Sequence, residues 1–426
     1  MKTINKIGFV TIGWLGLSVM ALANTGQPDL LKKLTLDECL QLGYKSHASM
    51  IAAEHRITIA QKSVQEKLGS YFPSLNYSIS RAEQGIEQPV FNPYINQYQT
   101  QTSESDTYTE GISLTQYLYA GGAIKSGYQI ALLNLESAME DKRRAEQELA
   151  YNIKSAFYDL WLKQQNYRTA LAFQENMAKH YQIINRMYQL GRSNKLDLSQ
   201  ARVLWEEQKV AALTAGNQVA EARLTLAALI GIDKFQEFEV ELDIEKLDLS
   251  EGYEADPRAI AEEAYVKRPD LRRMKQAIAI AEYQVVQAKA GLLPKVTLSY
   301  DYQLNDEELF GDNTKQWSLK LNLSGMAFDG FATKNRIAAA RENLKLLQHQ
   351  ETTQRDQAMV EIIQTLRNLK ETKHLIDVNR LNIDLASENV NLTEIQFNNG
   401  KATTSDFKDA QMSLLQAYDG YHGQVI

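Results

Sequence analysis

Tyr119-Ala120-Gly121-Gly122-Ala123-Ile124-Lys125 returns in pattern as Phe328-Asp329-Gly330-Phe331-Ala332-Thr333-Lys334, 209 residues further along the chain. The same offset carries Gly191 onto Gly400, Asp197 onto Asp406 and Ala201 onto Ala410, with no insertion between them. A duplication held in such register is the signature of a structural repeat. Both copies have the same contents: an alternating, hairpin-like stretch ahead of the quoted heptapeptide and a long helical run behind it.

The helical run is unusual for its length. From Phe331 to Asn399 there is neither Gly nor Pro, and these 69 residues are rich in Ala, Leu, Gln, Asn, Glu and Lys, which predicts one helix. At 1.5 Å per residue such a helix is ~100 Å long. Copy one predicts the same from Ala123 to Leu190, with Gly127 its only weak point. A helix of this length must bury a stripe. Ile362, Leu369, Ile376, Ile383, Val390 and Phe397 recur every seven residues, as do Ile153, Leu160, Tyr167, Gln174, Tyr181 and Tyr188, the spacing of a coiled-coil seam. Each run ends at a glycine turn, Leu190-Gly191-Arg192-Ser193-Asn194 or Asn399-Gly400-Lys401-Ala402-Thr403, as helix C-termini favour. A second helix then opens with Asp197 or Asp406 near its first turn, where a carboxylate suits the helix dipole. Two further helices are expected ahead of the hairpins, at Leu36 to Leu68 and Arg258 to Ala290.

Between the helices lie segments of period two. Val296, Leu298, Tyr300, Tyr302 and Leu304 alternate with polar residues, as do Trp317, Leu319, Leu321 and Leu323. Copy one is weaker: Leu75, Tyr77 and Ile79, then Ile112, Leu114 and Leu118. Strands of ~9–11 residues with this alternation fit a membrane barrel, apolar to lipid and polar to a watery lumen; a soluble sheet with one buried face is the alternative. Four strands are too few for a barrel, which needs about eight, and an open edge is intolerable in lipid. The membrane reading therefore demands oligomerisation, with a cyclic homo-oligomer the economical solution. Three chains would supply twelve strands and twelve helical rods, though three does not follow from the residues alone. Outer loops are expected at Glu87 to Ser105 and, shorter, at Asn305 to Lys315. Between the copies, Asp233 to Asp256 breaks helical periodicity, and Phe235 to Val240 reads as a short strand around the waist.

The N-terminus sets the compartment. Lys2 and Lys6 precede an apolar run from Ile7 to Leu22 and a small-x-small site, Ala21-Leu22-Ala23, which reads as a secretory signal over residues 1–23; the alternative is an uncleaved anchor helix. No later stretch is long and apolar enough for a membrane helix. The single cysteine, Cys39, excludes an intramolecular disulfide framework and is expected to be buried. The net charge of -7 argues against a nucleic-acid partner. There is no Walker loop, nucleophile elbow or H-E-x-x-H, and the six His show no ligand spacing. No enzyme activity, cofactor or metal is expected.

Several short pieces carry a resemblance: Leu34-Thr35-Leu36-Asp37-Glu38, Arg268-Pro269-Asp270-Leu271, Leu293-Pro294, Leu118-Tyr119-Ala120-Gly121-Gly122 and the two Gly-x5-Asp turns. In this order and spacing the chain resembles the outer-membrane efflux family, the TolC-like channels, over residues 34–426. The resemblance implies a mixed α and β membrane protein with an internal duplication: a homotrimer whose twelve-stranded β-barrel continues into a periplasmic α-helical barrel. The expected divisions are a first repeat at 24–231 (β-hairpin 74–120, long α-hairpin 121–231), an equatorial segment at 232–257, and a second repeat at 258–426 (β-hairpin 295–329, long α-hairpin 330–426). The implied partners are outer-membrane lipid, a periplasmic adaptor and an inner-membrane transporter of RND, ABC or MFS type. A periplasmic adaptor is itself the rival reading, since it too is exported and carries a long α-hairpin.

The resemblance also assigns the turns to the periplasmic tip, where the tunnel narrows. Asp406 and Asp409 match paired aspartates at the entrance, where like charges from three chains should raise some pKa values; Asp197 is the copy-one counterpart, but its third neighbour onward is Gln200. Gly191, Arg192, Lys195, Gly400 and Lys401 fall where an adaptor would make contact. The family's closing latch uses an Arg and a Tyr at positions held here by Ala402 and Phe397. A different latch, through Arg192, Lys195 or Lys401, or else a leakier resting state, is the expectation, with Phe397 at the gate. The last helix is expected to be short, since the equivalents of Ile230-Gly231 would fall beyond Ile426.

Overall fold

The computed structural model describes residues 32–242, 256–311 and 314–425. The signal segment 1–23 and residues 243–255 of the equatorial segment lie outside the described residues. The chain runs β1 (Lys32–Leu34), α1 (Leu36–Ser46), α2 (Ala48–Gly69), β2 (Ser74–Asn92), β3 (Gln97–Ala120), α3 (Ala123–Gln189), α4 (Lys195–Ile230) and β4 (Phe238–Val240). It continues through α5 (Pro257–Lys267), α6 (Pro269–Lys289), β5 (Lys295–Asp306), β6 (Thr314–Ser324), α7 (Ala332–Asn398) and α8 (Thr404–Val425). Helix pair, strand pair and long α-hairpin thus occur twice in the same order.

The heptapeptides that recur are the strand-to-helix corners. Gly121 and Gly122 have φ of 63° and 88°, and Gly330 and Phe331 have 64° and 65°. Two consecutive left-handed residues turn the chain from the sheet edge onto the helix axis, a conformation that costs a non-glycine residue ~1–2 kcal/mol. Copy two tolerates Phe331 there, with its ring against Phe328 at 5.5 Å and beneath the Lys334 ammonium.

Behind each corner runs a helix of 67 residues, ~100 Å at 1.5 Å per residue. The helices predicted at Leu36 to Leu68 and Arg258 to Ala290 are each broken in two. Pro269 forces Arg268 out of the helical region (φ -66°, ψ 124°) and restarts the helix as its first residue. In copy one His47 is extended and its Nδ1 accepts from the Ser49 N–H, so a side-chain cap replaces the proline. In the upper half α2 packs on α3, α3 on α6, and α6 on α7; in the lower half α4, α3, α8 and α7 follow in the same order. Four rods therefore stand side by side. The core lies at the waist, where Ile153, Phe157 and Leu160 of α3 meet Leu226 and Ile230 of α4 under the parallel β1–β4 pair. The expected waist strand is thus present, shortened to Phe238–Val240. Cys39 is fully buried in this core, and burial pushes its thiol up to about 11.

The seam read into copy one holds at Ile153 and Leu160 and then slips. Lower down, the buried row is Phe173, Met177, His180 and Ile184, while Tyr181 is half-buried and Tyr188 exposed. The neighbours of α3 change along its length, from the waist core to α4 and α8, and the buried face turns to follow them.

The four long strands form one antiparallel sheet in the order β2-β3-β5-β6. Register places Leu75, Leu114, Tyr300 and Leu319 in one row across it, and Tyr77, Ile112, Tyr302 and Trp317 in the next. On the other face the rows are Asn76, Ser113, Asp301 and Ser318, then Ser78, Gly111, Gln303 and Gln316. Among the described residues nothing covers the apolar face: Tyr77 is 85% exposed, Leu321 67% and Trp317 71%. A soluble sheet would pack that face on its own core. Eight residue steps from Val296 to Leu304 make ~27 Å of strand, and a tilt of ~40° brings this to ~21 Å, close to the ~25 Å apolar band of outer-membrane barrels. The band ends in charge, with Glu110 and Lys315 in the row of Ile79 and with Arg81 next beyond it.

The loop expected at Glu87 to Ser105 is instead hairpin. β2 and β3 continue to Asn92 and Gln97 with unbroken pairing, and the segment paired from Ala82/Thr107 outward has no β5 partner. It projects ~34 Å at 3.4 Å per residue. Its aspartate and glutamate side chains, Glu83, Glu87, Glu104 and Asp106, have no basic counterpart between residues 82 and 107. Among the described residues no helix is long and apolar enough to cross a membrane.

Leu321→Lys on the apolar face should cost about 2–4 kcal/mol of barrel stability, whereas Asn322→Lys on the polar face should be near neutral. Urea titration of folded protein in detergent or lipid reads the difference. Phe157→Ala in the waist core should cost about 3–5 kcal/mol in the same assay.

Candidate functional site

The lower ends of the two α-hairpins are built alike. Gly191, at φ 70°, lets the Arg192 N–H donate to the Met187 carbonyl at 2.8 Å and its own N–H donate to Tyr188 at 3.0 Å. Gly400, also at φ 70°, repeats this with Lys401 to Gln396 at 2.8 Å and Gly400 to Phe397 at 2.9 Å. Both are Schellman closures, in which a left-handed glycine allows orphan carbonyls to be satisfied.

The return helices then start under side-chain caps, and the three predicted aspartates sit here. In copy one Asn194 accepts from the Asp197 N–H at 2.9 Å, while the Ser193 hydroxyl donates to the Asp197 carboxylate at 3.1 Å. In copy two one residue does both jobs. The Thr403 hydroxyl accepts from the Asp406 N–H at 3.2 Å, and the Thr403 N–H and hydroxyl each donate to Asp406 Oδ2 at 2.8 Å. This is a capping box with aspartate at its third position. Asp406 and Asp409 are exposed, on the side of α8 away from buried Thr404, Phe407 and Ala410. The Thr403 N–H, then its hydroxyl, hold the Asp406 carboxyl below the usual carboxylate range. That is opposite in sign to the effect expected from like charges in a ring, which needs further chains.

The basic side chains occupy the rim. Arg192, Lys195 and Lys401 are exposed, and none makes an ion pair among the described residues, so a latch through them is not formed within the chain. Ala402 is half-buried. Phe397 packs into an aromatic cluster. Its ring lies 4.9 Å from His180 and 6.2 Å from Phe407, and His180 stacks on Phe407 at 4.8 Å and 21°. These three rings close one end of a groove of about 640 Å³ lined by α3, α7 and α8. His180 and Phe407 escape a reading based on the seven-residue seam, because that seam runs through Tyr181. For His180 the available signal is the i, i+3, i+7 row Met177, His180, Ile184.

Three observations now stand together: duplicated α-hairpins of great length, a sheet whose apolar face is bare, and capped acidic turns at the far end. The family model described as outer membrane efflux protein matches residues 40–232 and 260–421. The chain belongs to this family. It is 24% identical over 266 residues to the pyoverdine export outer membrane protein OpmQ of Pseudomonas aeruginosa, covering 62% of this chain and 55% of OpmQ. With the toluene efflux pump outer membrane protein TtgC of Pseudomonas putida it shares 19% identity over 413 residues, or 95% of this chain and 82% of TtgC. The chain thus spans little more than half the length of the OpmQ proteins it matches. The fold superposes on the Campylobacter jejuni CmeC outer membrane channel with a TM-score of 0.79 at 16% identity, covering 92% of this chain and 82% of that one. The efflux-family chain has the TolC-like fold, and its place is the outer membrane.

Thr403→Ala removes both hydroxyl hydrogen bonds of the second cap, leaving the bond from the backbone N–H of residue 403 to Asp406, and should cost about 1 kcal/mol at the start of α8. Hydrogen exchange of the amides of residues 404–406 should speed up accordingly, with those of residues 195–197 unchanged.

Proposed function

We propose that this protein is the outer-membrane channel of a tripartite efflux or type I secretion system. Three copies close a twelve-stranded barrel continued by a tunnel of helices through the periplasm. Substrates enter from an inner-membrane transporter of RND, ABC or MFS type through a periplasmic adaptor. The two repeats at 24–231 and 258–426, joined by 232–257, give that tube approximate six-fold character from one chain.

The sheet carries this reading. Its apolar face suits lipid, and its edges, β2 and β6, have unpaired backbone groups that hydrocarbon cannot satisfy. Only a closed ring removes them. The helices support the same closure, since apolar side chains stand exposed on the two outer rods at matching heights above the tip: Val210 and Leu213 on α4, and Val378, Leu381 and Leu385 on α7. An antiparallel pairing of α4 with α7 of the next chain covers both rows. The periplasmic adaptor reading is weaker, because it has no use for a bare lipid-type sheet face.

In this reading Asp406 and Asp409, with Asp197 beside them, ring the constriction. Gly191, Arg192, Lys195, Gly400 and Lys401 form the rim that meets the adaptor. Phe397 acts in the wall behind the gate rather than in the opening.

Two experiments test the proposal. Leu213→Cys with Val378→Cys should cross-link on oxidation into a ladder ending at three chains, buried Cys39 staying silent; cross-links confined to one chain would refute the ring. Asp406→Ala with Asp409→Ala should raise single-channel conductance and reduce cation selectivity in planar bilayers, and unchanged values for both would remove these residues from the constriction.

A further inference from the structure

We infer that His180 is a positioning residue for the gate: its neutral ring, clustered with Phe397 and Phe407, clasps the first turn of α8 to α3, and acid releases the clasp. The inference rests on the reading of Asp406 and Asp409 as the constriction.

The geometry comes first. Phe407 lies between Asp406 and Asp409 in sequence and is buried where they are exposed, so whatever holds its ring also sets where the two carboxylates point. What holds it is the imidazole of His180, stacked at 4.8 Å, with Phe397 of α7 packed against the imidazole at 4.9 Å and 6.2 Å from Phe407, so that the three rings form a triangle. One cluster therefore ties α3, α7 and α8 together just above the turn. His180 is only 5% exposed, and its Nε2 is buried without a hydrogen-bond partner. Gln411, 6% exposed, lines the same groove, and its Oε1 is also unpartnered.

A neutral imidazole tolerates this site as a largely apolar ring. An imidazolium does not, because both nitrogens then carry N–H donors and a charge is placed in a dry cluster. Attraction of the cation to the stacked Phe407 face offsets part of the cost but supplies no acceptor for Nε2–H. Arg168 and Lys179 on α3 border the groove and oppose a further positive charge. Glu394 on α7 borders it as well, and Tyr418 and His422 line it on α8. Asp406 and Asp409 lie on the solvent side of α8.

Burial lowers the proton affinity of His180 in the packed state. A base whose packed-state pKa is lowered stabilises packing fully above its free value and loses that contribution as pH falls below it. Release should therefore set in below the ordinary imidazole value of about 6.5. The Asp406 cap stays charged there, since its carboxyl titrates below the usual carboxylate range. The two groups are thus separable by pH.

The test uses the full channel in lipid, spin-labelled at Ser405→Cys, with distances between equivalent labels measured at pH 7.5 and pH 5. Wild type should widen on acidification, and open probability in planar bilayers should rise severalfold with it. His180→Phe keeps the ring but not the proton site and should give the pH 7.5 values at both pHs, while Phe407→Ala should be open at both. Retention of the wild-type response in His180→Phe would overturn the inference, as would a wild-type distance that is unchanged or narrows at pH 5; narrowing would mean that Gln411 captures the new donor and tightens the clasp. Should His180→Phe fail to assemble, the wild-type distances alone still decide. If the Asp406/Asp409 substitution alters selectivity while His180→Phe changes nothing, the clasp falls and the constriction stands. If the aspartates have no effect, the constriction itself is wrong.

Discussion

A backbone in hydrocarbon must satisfy its own hydrogen bonds, and this chain presents a lipid-type sheet of only four strands. Its inner strands are paired along their length, with one bulge at Leu118 where β3 meets β5, but the outer edges of β2 and β6 have no partner among the described residues. Neither edge shows the usual protections of a soluble protein, such as charge at every outward position or a covering helix. The apolar rows run straight across to Trp317, Leu319 and Leu321 on the last strand. A sheet of this kind is stable only as a segment of a ring. Ring closure then dictates what lies below, because four strands feed four helical rods and each rod must find neighbours on both sides. The exposed leucines and valines of α4 and α7 are the helical counterpart of the open strand edges.

The contacts above the waist show how the rods are kept in line despite their length. Apolar packing alone would let two ~100 Å helices slide by a turn. Directional contacts oppose this where α3 meets α6: Asp141 with Arg273 at 2.9 Å, Ser137 with Gln276 at 3.0 Å, and buried Glu140 shared by Arg143 at 2.7 Å and Arg272 at 3.4 Å. Arg268, extended because Pro269 follows it, clamps Asp270 at 2.8 Å and reaches Glu361 of α7 at 2.8 Å. Exposed pairs of this type add little stability one by one. Their value here is register, since a slip of one turn would break Asp141–Arg273, Ser137–Gln276, Glu140–Arg272 and Arg268–Glu361 together.

How much of this could be read from the residues follows from the same physics. The long helices were legible because Phe331 to Asn399 contains no breaker, and the membrane strands because lipid on one side and water on the other imposes a period of two. Beyond Arg81 that asymmetry ends. With water on both faces the extended hairpin has no alternation to read, and Gly85, Pro89 and Pro93 suggest a loop; Pro89 is tolerated because β2 is an edge strand within the chain. The breaks at His47 and Arg268 were half legible: Pro269 announces one, whereas the His47 cap depends on a side-chain hydrogen bond that sequence does not display. The tip was legible in its glycines and aspartates but not in His180. Locating that residue requires knowing that the buried face of α3 turns between Leu160 and Phe173 as its neighbours change.

In the proposed reading the aspartates serve as both helix cap and pore charge, and the cap geometry is compatible with the two roles together. A free carboxylate at an exposed helix start samples several rotamers and projects its charge diffusely. Asp406 is held by two donors from Thr403, each at 2.8 Å, so its position follows the helix axis with little freedom of its own. Asp197 is tied in the same way by Ser193. Caps that fix side chains convert a rotation or shift of α4 or α8 into an equal displacement of charge. A gate built from charged rings needs that coupling, since a carboxylate on a loose side chain would hold its place near a cation while the helix moved. The capping chemistry that starts each return helix is thus also what would allow the helices, rather than the side chains, to do the gating.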